Sequence, residues 1–156
     1  MDRSMRLAIG LCVVLAAGCA GVVKAPQGAP EKSAAAMKSD ALYRALGGTD
    51  GIAGVVDAAL AEIHGDLRIN MLFEKTDMAD LRRLLIEQIC AATGGPCEYT
   101  GRSMEEAHSG LHLTDADFDA FVEDLVRAMD AGKVPKDLQK QLLDLLGPMR
   151  PEVVGQ

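Results

Sequence analysis

The sequence predicts an all-α fold, and three observations carry that prediction. Aromatic residues make up only 3% of the chain and Trp is absent, a balance that favours helices over strands in a chain rich in Ala, Leu and Met. Apolar residues recur at helical spacing in one segment after another, and no segment reads as a strand. Capping residues and glycines mark where these segments start and stop. At 156 residues and 49% hydrophobic content, the chain has room for one domain with a packed core.

The first element is a leader. Met1 to Arg6 is short and basic, Leu7 to Ala17 is apolar, and Gly18-Cys19 follows small residues, the layout of a secretory signal too short to span a bilayer. Leu15-Ala16-Ala17-Gly18-Cys19 resembles a bacterial lipobox, with Ala16 where Leu is commoner. That resemblance implies cleavage before Cys19 and its lipidation, against an ordinary cleaved signal or an uncleaved anchor as alternatives. Residues 1–19 are thus read as signal peptide. Residues 20–39, with Pro26, Pro30 and an alanine-rich patch but no sustained apolar face, read as a flexible tether.

The domain is expected over residues 40–154. Leu42-Tyr43-Arg44-Ala45-Leu46 is a brief helix ended by Gly47-Gly48, which let the chain turn sharply. From Thr49-Asp50, good capping chemistry, Ile52, Val55, Val56, Ala59, Leu60 and Ile63 fall at i, i+3, i+4, i+7, i+8 and i+11, one amphipathic helix stopped by Gly65. Thr76-Asp77 opens a second long helix with Met78, Leu81, Leu84, Leu85, Ile89 and Ala92 inward, closed by Thr93-Gly94-Gly95-Pro96. Ser103-Met104-Glu105-Glu106 fits a capping box, and Gly110 leaves room for one or two turns carrying His108. Thr114-Asp115 starts a helix with Phe118, Phe121, Val122, Leu125, Ala128 and Met129 on one face. The last helix runs from Pro135 through Leu138, Leu142 and Leu145 to Gly147-Pro148.

The formal charge is −7, and removing Asp2, Arg3 and Arg6 with the leader takes it to −8. Sixteen basic residues scattered among 23 acids form no basic stripe, which excludes a nucleic-acid partner.

By spacing alone, His108 reads as a solvated or hydrogen-bonded residue. The order Leu46-Gly47-Gly48, Leu72-Phe73, Thr76-Asp77-Met78, Gly94-Gly95-Pro96, Tyr99-Thr100-Gly101-Arg102-Ser103-Met104 and Ala107-His108 changes that reading, because it resembles the group I truncated haemoglobins from about Leu42 to Val134. The resemblance implies a shortened globin fold, two helices stacked over two, around a haem. It implies that His108 is the proximal iron ligand, that Phe73 packs on the haem face, and that Met104, Tyr99 and Phe118 wall the pocket. Phe73 and Phe118 as plain core residues would look the same in sequence. With no Cys-x-x-Cys-His, the expected cofactor is non-covalent haem b.

The chain departs from the family on the ligand side. Leu60 stands where many members have Tyr, and Leu85 where they often have Gln; Leu81 is apolar too. Loss of those donors, worth about 1.5 to 3 kcal/mol, implies dioxygen retention weaker by roughly 10 to 100-fold, with carbon monoxide and nitric oxide less affected. His64, one turn after Leu60, reads as an exposed residue or a secondary donor, and His112 as structural or exposed. Arg82, Arg83 and Arg102 are candidates for the haem propionates, or are surface charges. Cys90 and Cys97 bracket a turn; in an exported protein a disulfide is expected, with free thiols or a zinc site using His108 as alternatives.

The function expected from this reading is reversible binding of dioxygen, nitric oxide or carbon monoxide in the bacterial cell envelope, membrane contact being only through the lipid anchor. The alternatives are a haem enzyme, performing nitric oxide dioxygenation or peroxidase-like chemistry with an unidentified reductase, and a haem-free helical envelope protein.

Overall fold

The computed structural model describes residues 40–156. The expected signal peptide, the tether and the lipidated Cys19 lie outside the described residues. Helices α1 (Ala41–Ala45), α2 (Gly48–Gly65), α3 (Met78–Ala92), α4 (Met104–His108), α5 (Asp115–Ala131), α6 (Lys136–Leu146) and α7 (Arg150–Val153) follow one another, with 3-10 turns at Asn70–Phe73 and Gly147–Met149. Among the described residues there is no strand. The four long helices form the two-over-two frame, with α2 at its centre against both α3 and α5.

Most boundaries follow local chemistry. Gly47 and Gly48 take φ of 89° and 67°, so the turn between α1 and α2 uses a backbone region that residues with a Cβ avoid. Thr49 and Asp50 lie inside α2 and do not cap it. The Tyr43 hydroxyl takes over part of that task, accepting from Thr49 N at 3.2 Å and bonding Thr49 Oγ1 at 2.9 Å. Asp77 caps α3 by accepting from the amides of Ala79 and Asp80. Thr114 and Asp117 form a full capping box on α5. The last expected helix ends at Leu146, just before Gly147-Pro148, and the chain continues through a 3-10 turn into the short α7.

The main core joins Ile52, Val55, Val56 and Ala59 of α2 to Ile89 and Cys90 of α3, Leu125, Ala128 and Met129 of α5, and Leu142 of α6. A smaller cluster of Ile63, Ile69 and Ala120 adjoins Leu60, Phe73 and Phe121. Two expected inward residues are exposed. Leu145 is off the buried stripe of α6, which runs i, i+4, i+8 through Leu138, Leu142 and Leu146. Met78 sits in the first turn of α3, whose buried positions are confined to Ile89 and Cys90 near its other end.

Cys90 and Cys97 are joined by a disulfide, with Cα atoms 5.8 Å apart. It ties the last turn of α3 to the segment leading into α4. The zinc alternative fails on the same observation: both thiolates are used by each other, and no cluster of three metal-ligating side chains exists among the described residues. An ion-pair network links the end of α2 to α5: Arg68 pairs with Asp66 and Glu123, and Arg127 with Glu62, Asp66 and Asp124.

Candidate functional site

α4 is five residues long and stands on one strong cap. Ser103 Oγ accepts from Glu106 N, and Glu106 Oε2 accepts from Ser103 N, each at 3.2 Å. This box, worth about 1 kcal/mol, starts a helix too short to persist by itself. One turn on, His108 Nδ1 bonds the Met104 carbonyl at 2.7 Å. A carbonyl can only accept, so Nδ1 carries the proton and Nε2 keeps its lone pair. The half-buried ring is thereby held in the tautomer a metal ligand needs, by the kind of hydrogen bond that orients metal-bound histidines.

Several half-buried apolar residues on α3, α4 and α5 do not belong to the core. Leu81 and Leu84 of α3, Met104 of α4, and Phe118 and Val122 of α5 are half-buried, yet none packs against either core cluster. Leu60 and Leu85 are half-buried against the main core. Phe73, in the 3-10 turn after α2, adjoins the smaller cluster. α3 and α4 are bridged by a side chain that sequence reasoning missed: Gln88 Nε2 donates to Met104 Sδ at 3.2 Å and to Met149 Sδ at 3.4 Å. Gln88 follows Leu81 by seven residues and Leu85 by three, so one polar group shares the otherwise apolar face of α3. That spacing was its only sequence signal.

The segment from α3 to α4 is stitched down by polar contacts. Glu87 accepts from Thr100 N at 3.0 Å and Thr100 Oγ1 at 2.7 Å, and these bonds, with Arg83 beside them, lower the Glu87 carboxyl below its ordinary range. Tyr99 donates to the Arg102 carbonyl at 2.9 Å, and burial raises its hydroxyl pKa. Its ring lies so close to Gly101 that a Cβ there would stand 2.3 Å from the Tyr99 oxygen, which reserves the position for glycine.

The three candidate arginines separate. Arg82 is paired with Asp57 across to α2, and Arg83 with Asp80 and Glu87. Arg102 has no carboxylate partner among the described residues; its Nη1 donates to the Glu106 carbonyl at 3.2 Å. His64 and His112 are exposed, and His112 adopts a φ of 51° in the turn after α4.

The residues fit a flat, apolar, metal-bearing cofactor. Half-buried aliphatic and aromatic side chains outside the core would suit the faces of a macrocycle, and an imidazole with its Nε2 free would hold the metal. A two-over-two helical frame carrying one oriented histidine on a short capped helix is that of a globin. The family model for bacterial-like globins matches residues 41–154. A group 1 truncated hemoglobin of Nostoc sp. is 33% identical over 115 residues, covering 74% of this chain and 98% of that protein. The truncated hemoglobin of Tetrahymena pyriformis in its Fe(III) form superposes with a TM-score of 0.71 at 26% identity, over 74% of this chain and 98% of that one. The 2/2 hemoglobin of Synechococcus sp. PCC 7002, solved in the cyanomet state with covalently attached heme, gives 0.69 at 31% identity, with the same coverage of each. The chain belongs to the bacterial-like globin family, among the group 1 truncated haemoglobins, and is a haem-binding globin.

Proposed function

We propose that this globin binds diatomic gases at a haem iron ligated by His108 Nε2, and that it does so while tethered to the bacterial cell envelope. The observation that carries the reading is the His108 Nδ1 to Met104 carbonyl bond on a half-buried histidine. Bound haem supplies an iron with one coordination position left for dioxygen, nitric oxide or carbon monoxide. His108 holds the metal, and the Met104 carbonyl keeps its ring turned and its proton on Nδ1. Phe73, Leu81, Leu85, Met104 and Phe118 exclude water from the macrocycle. Tyr99 and Arg102 lie at the start of α4; Arg102, the one candidate guanidinium without a carboxylate partner among the described residues, is assigned to a propionate. Leu60, Leu81 and Leu85 make the ligand side poor in donors.

The same reading takes the cofactor as non-covalent haem b. Cys90 and Cys97 are consumed in their disulfide, so the described residues offer no thiol to add to a haem vinyl group. That bond also supports an oxidising compartment, in line with the lipobox-like segment at Cys19.

The test of ligation is a haemin titration of the chain lacking residues 1–19, followed by absorption spectroscopy, beside His108→Ala. Stoichiometric uptake that is lost or spectrally altered in the variant is the expected result. No uptake by either chain would leave the haem-free reading. The test of placement is fractionation of cells making the full chain, which is expected in the membrane fraction, with Cys19→Ala released from it. Equal distribution of the two would sink the anchor.

A further inference from the structure

Residues 149–156 touch three elements: α3, α4 and α5. Met149 Sδ accepts from Gln88 of α3. Arg150 reaches α5: it donates to Asp115 Oδ1 at 2.7 Å and to Asp119, and its guanidinium carbon lies 4.4 Å from the centroid of the Phe118 ring. α7 packs against α4. Beyond α7, Gly155 N donates to the Leu113 carbonyl at 2.9 Å, and the Gln156 carbonyl accepts from His112 N at 3.0 Å. The last residues therefore pair, backbone to backbone, with the segment that follows His108.

α4 needs such support at one end in particular. Its amino end has the Ser103–Glu106 box, but its carboxyl end, where His108 sits, runs into exposed Ser109, Gly110 and Leu111. A single helical turn nucleates at a cost its own hydrogen bonds do not recover. We infer that residues 149–156 form a clasp that holds α4 and so positions His108, and that Arg150 is its anchoring residue.

The choice of arginine has a physical basis. A planar guanidinium serves two carboxylates and an aromatic face at once, whereas a lysine in its place keeps the charge and gives up the fork and the stack. Each ion pair is partly exposed and weak alone, so the anchor works by convergence on one side chain. The role in haem retention rests on the reading of His108 as iron ligand; the clasp itself rests only on the contacts above.

The experiment compares the full chain with Arg150→Met, Arg150→Lys and a deletion of residues 154–156. Two quantities are measured: transfer of haem from the loaded chain to excess apomyoglobin, and amide hydrogen exchange over residues 104–113 in the haem-free chain. Arg150→Met and the deletion are expected to lose haem roughly threefold to tenfold faster and to exchange faster at 104–113 while α2 and α6 keep their protection. Salt should speed haem loss more from the parent chain than from Arg150→Met, since the variant has lost the Arg150 pairs that salt screens. Arg150→Lys should recover the salt dependence and part of the retention. Unchanged exchange at 104–113 in both the Met variant and the deletion overturns the clasp, as does a rise spread evenly over all helices. A parent chain that takes up no haemin overturns the haem reading alone, and the exchange data still decide the clasp.

Discussion

At the scale of single residues, one hydrogen bond does much of the work of the site. The Met104 carbonyl settles which nitrogen of His108 is free, and it can do so only because a capped turn puts residues 104 and 108 on one face. On the proposed reading, Leu60 matters for what it lacks. Leu60→Tyr adds a hydroxyl on the ligand side, and a donor to a charged acceptor is worth about 1.5 to 3 kcal/mol. Dioxygen release, followed by stopped flow, should slow by roughly 10 to 100-fold, while Leu60→Phe leaves it within a small factor of the parent. A parent chain that already releases dioxygen slowly would contradict this. Gln88 tempers the apolar character of α3, yet its amide is held by two weak sulfur acceptors where α3 meets Met104 and Met149.

At the scale of elements, the connection from α3 to α4 is the part most exposed to chemical change. It has no regular structure, and what shapes it is the Cys90–Cys97 disulfide, the Glu87–Thr100 bonds and the Tyr99–Arg102 bond. Closing so short a loop removes unfolded-state entropy worth about 2 kcal/mol. Denaturant unfolding with and without reductant should therefore differ by about that amount, and the Cys90→Ala, Cys97→Ala double variant should behave as the reduced parent and ignore reductant. Equal stability of all forms would show that the polar stitches alone hold the segment.

At the scale of the whole molecule, the network between α2 and α5 predicts an acid limit. Arg68, by hydrogen bonds from its side chain and its backbone amide, holds the Asp66 carboxyl at about 2 against an ordinary 3.8. A lowered carboxylate pKa stabilises the fold fully above the unfolded value, and that contribution is lost as pH falls from 3.8 toward 2. Thermal midpoints measured across that window should fall for the parent chain. Asp66→Asn should lower the midpoint at neutral pH and flatten the acid limb; an unchanged slope would remove Asp66 from the account.

Much of this protein is determined by its sequence alone, wherever the deciding forces are local. Helical periodicity, the capping box at Ser103, the helix start at Thr114-Asp115 and the glycine turn at 47 and 48 placed the helices, because each depends on residues within a turn or two of one another, while the motifs shared with the family pointed to the candidate ligand. Tertiary structure decided the rest. Leu81, Leu84 and Leu85 have the same helical spacing, and only the packing of α3 shows that Leu85 adjoins the main core while Leu81 and Leu84 do not. Which arginine stays free of carboxylates depends on acids distant in sequence, as Asp57 is from Arg82. The clasp joins residues 149–156 to α3, α4 and α5, contacts between segments tens of residues apart in which no local pattern records the partner.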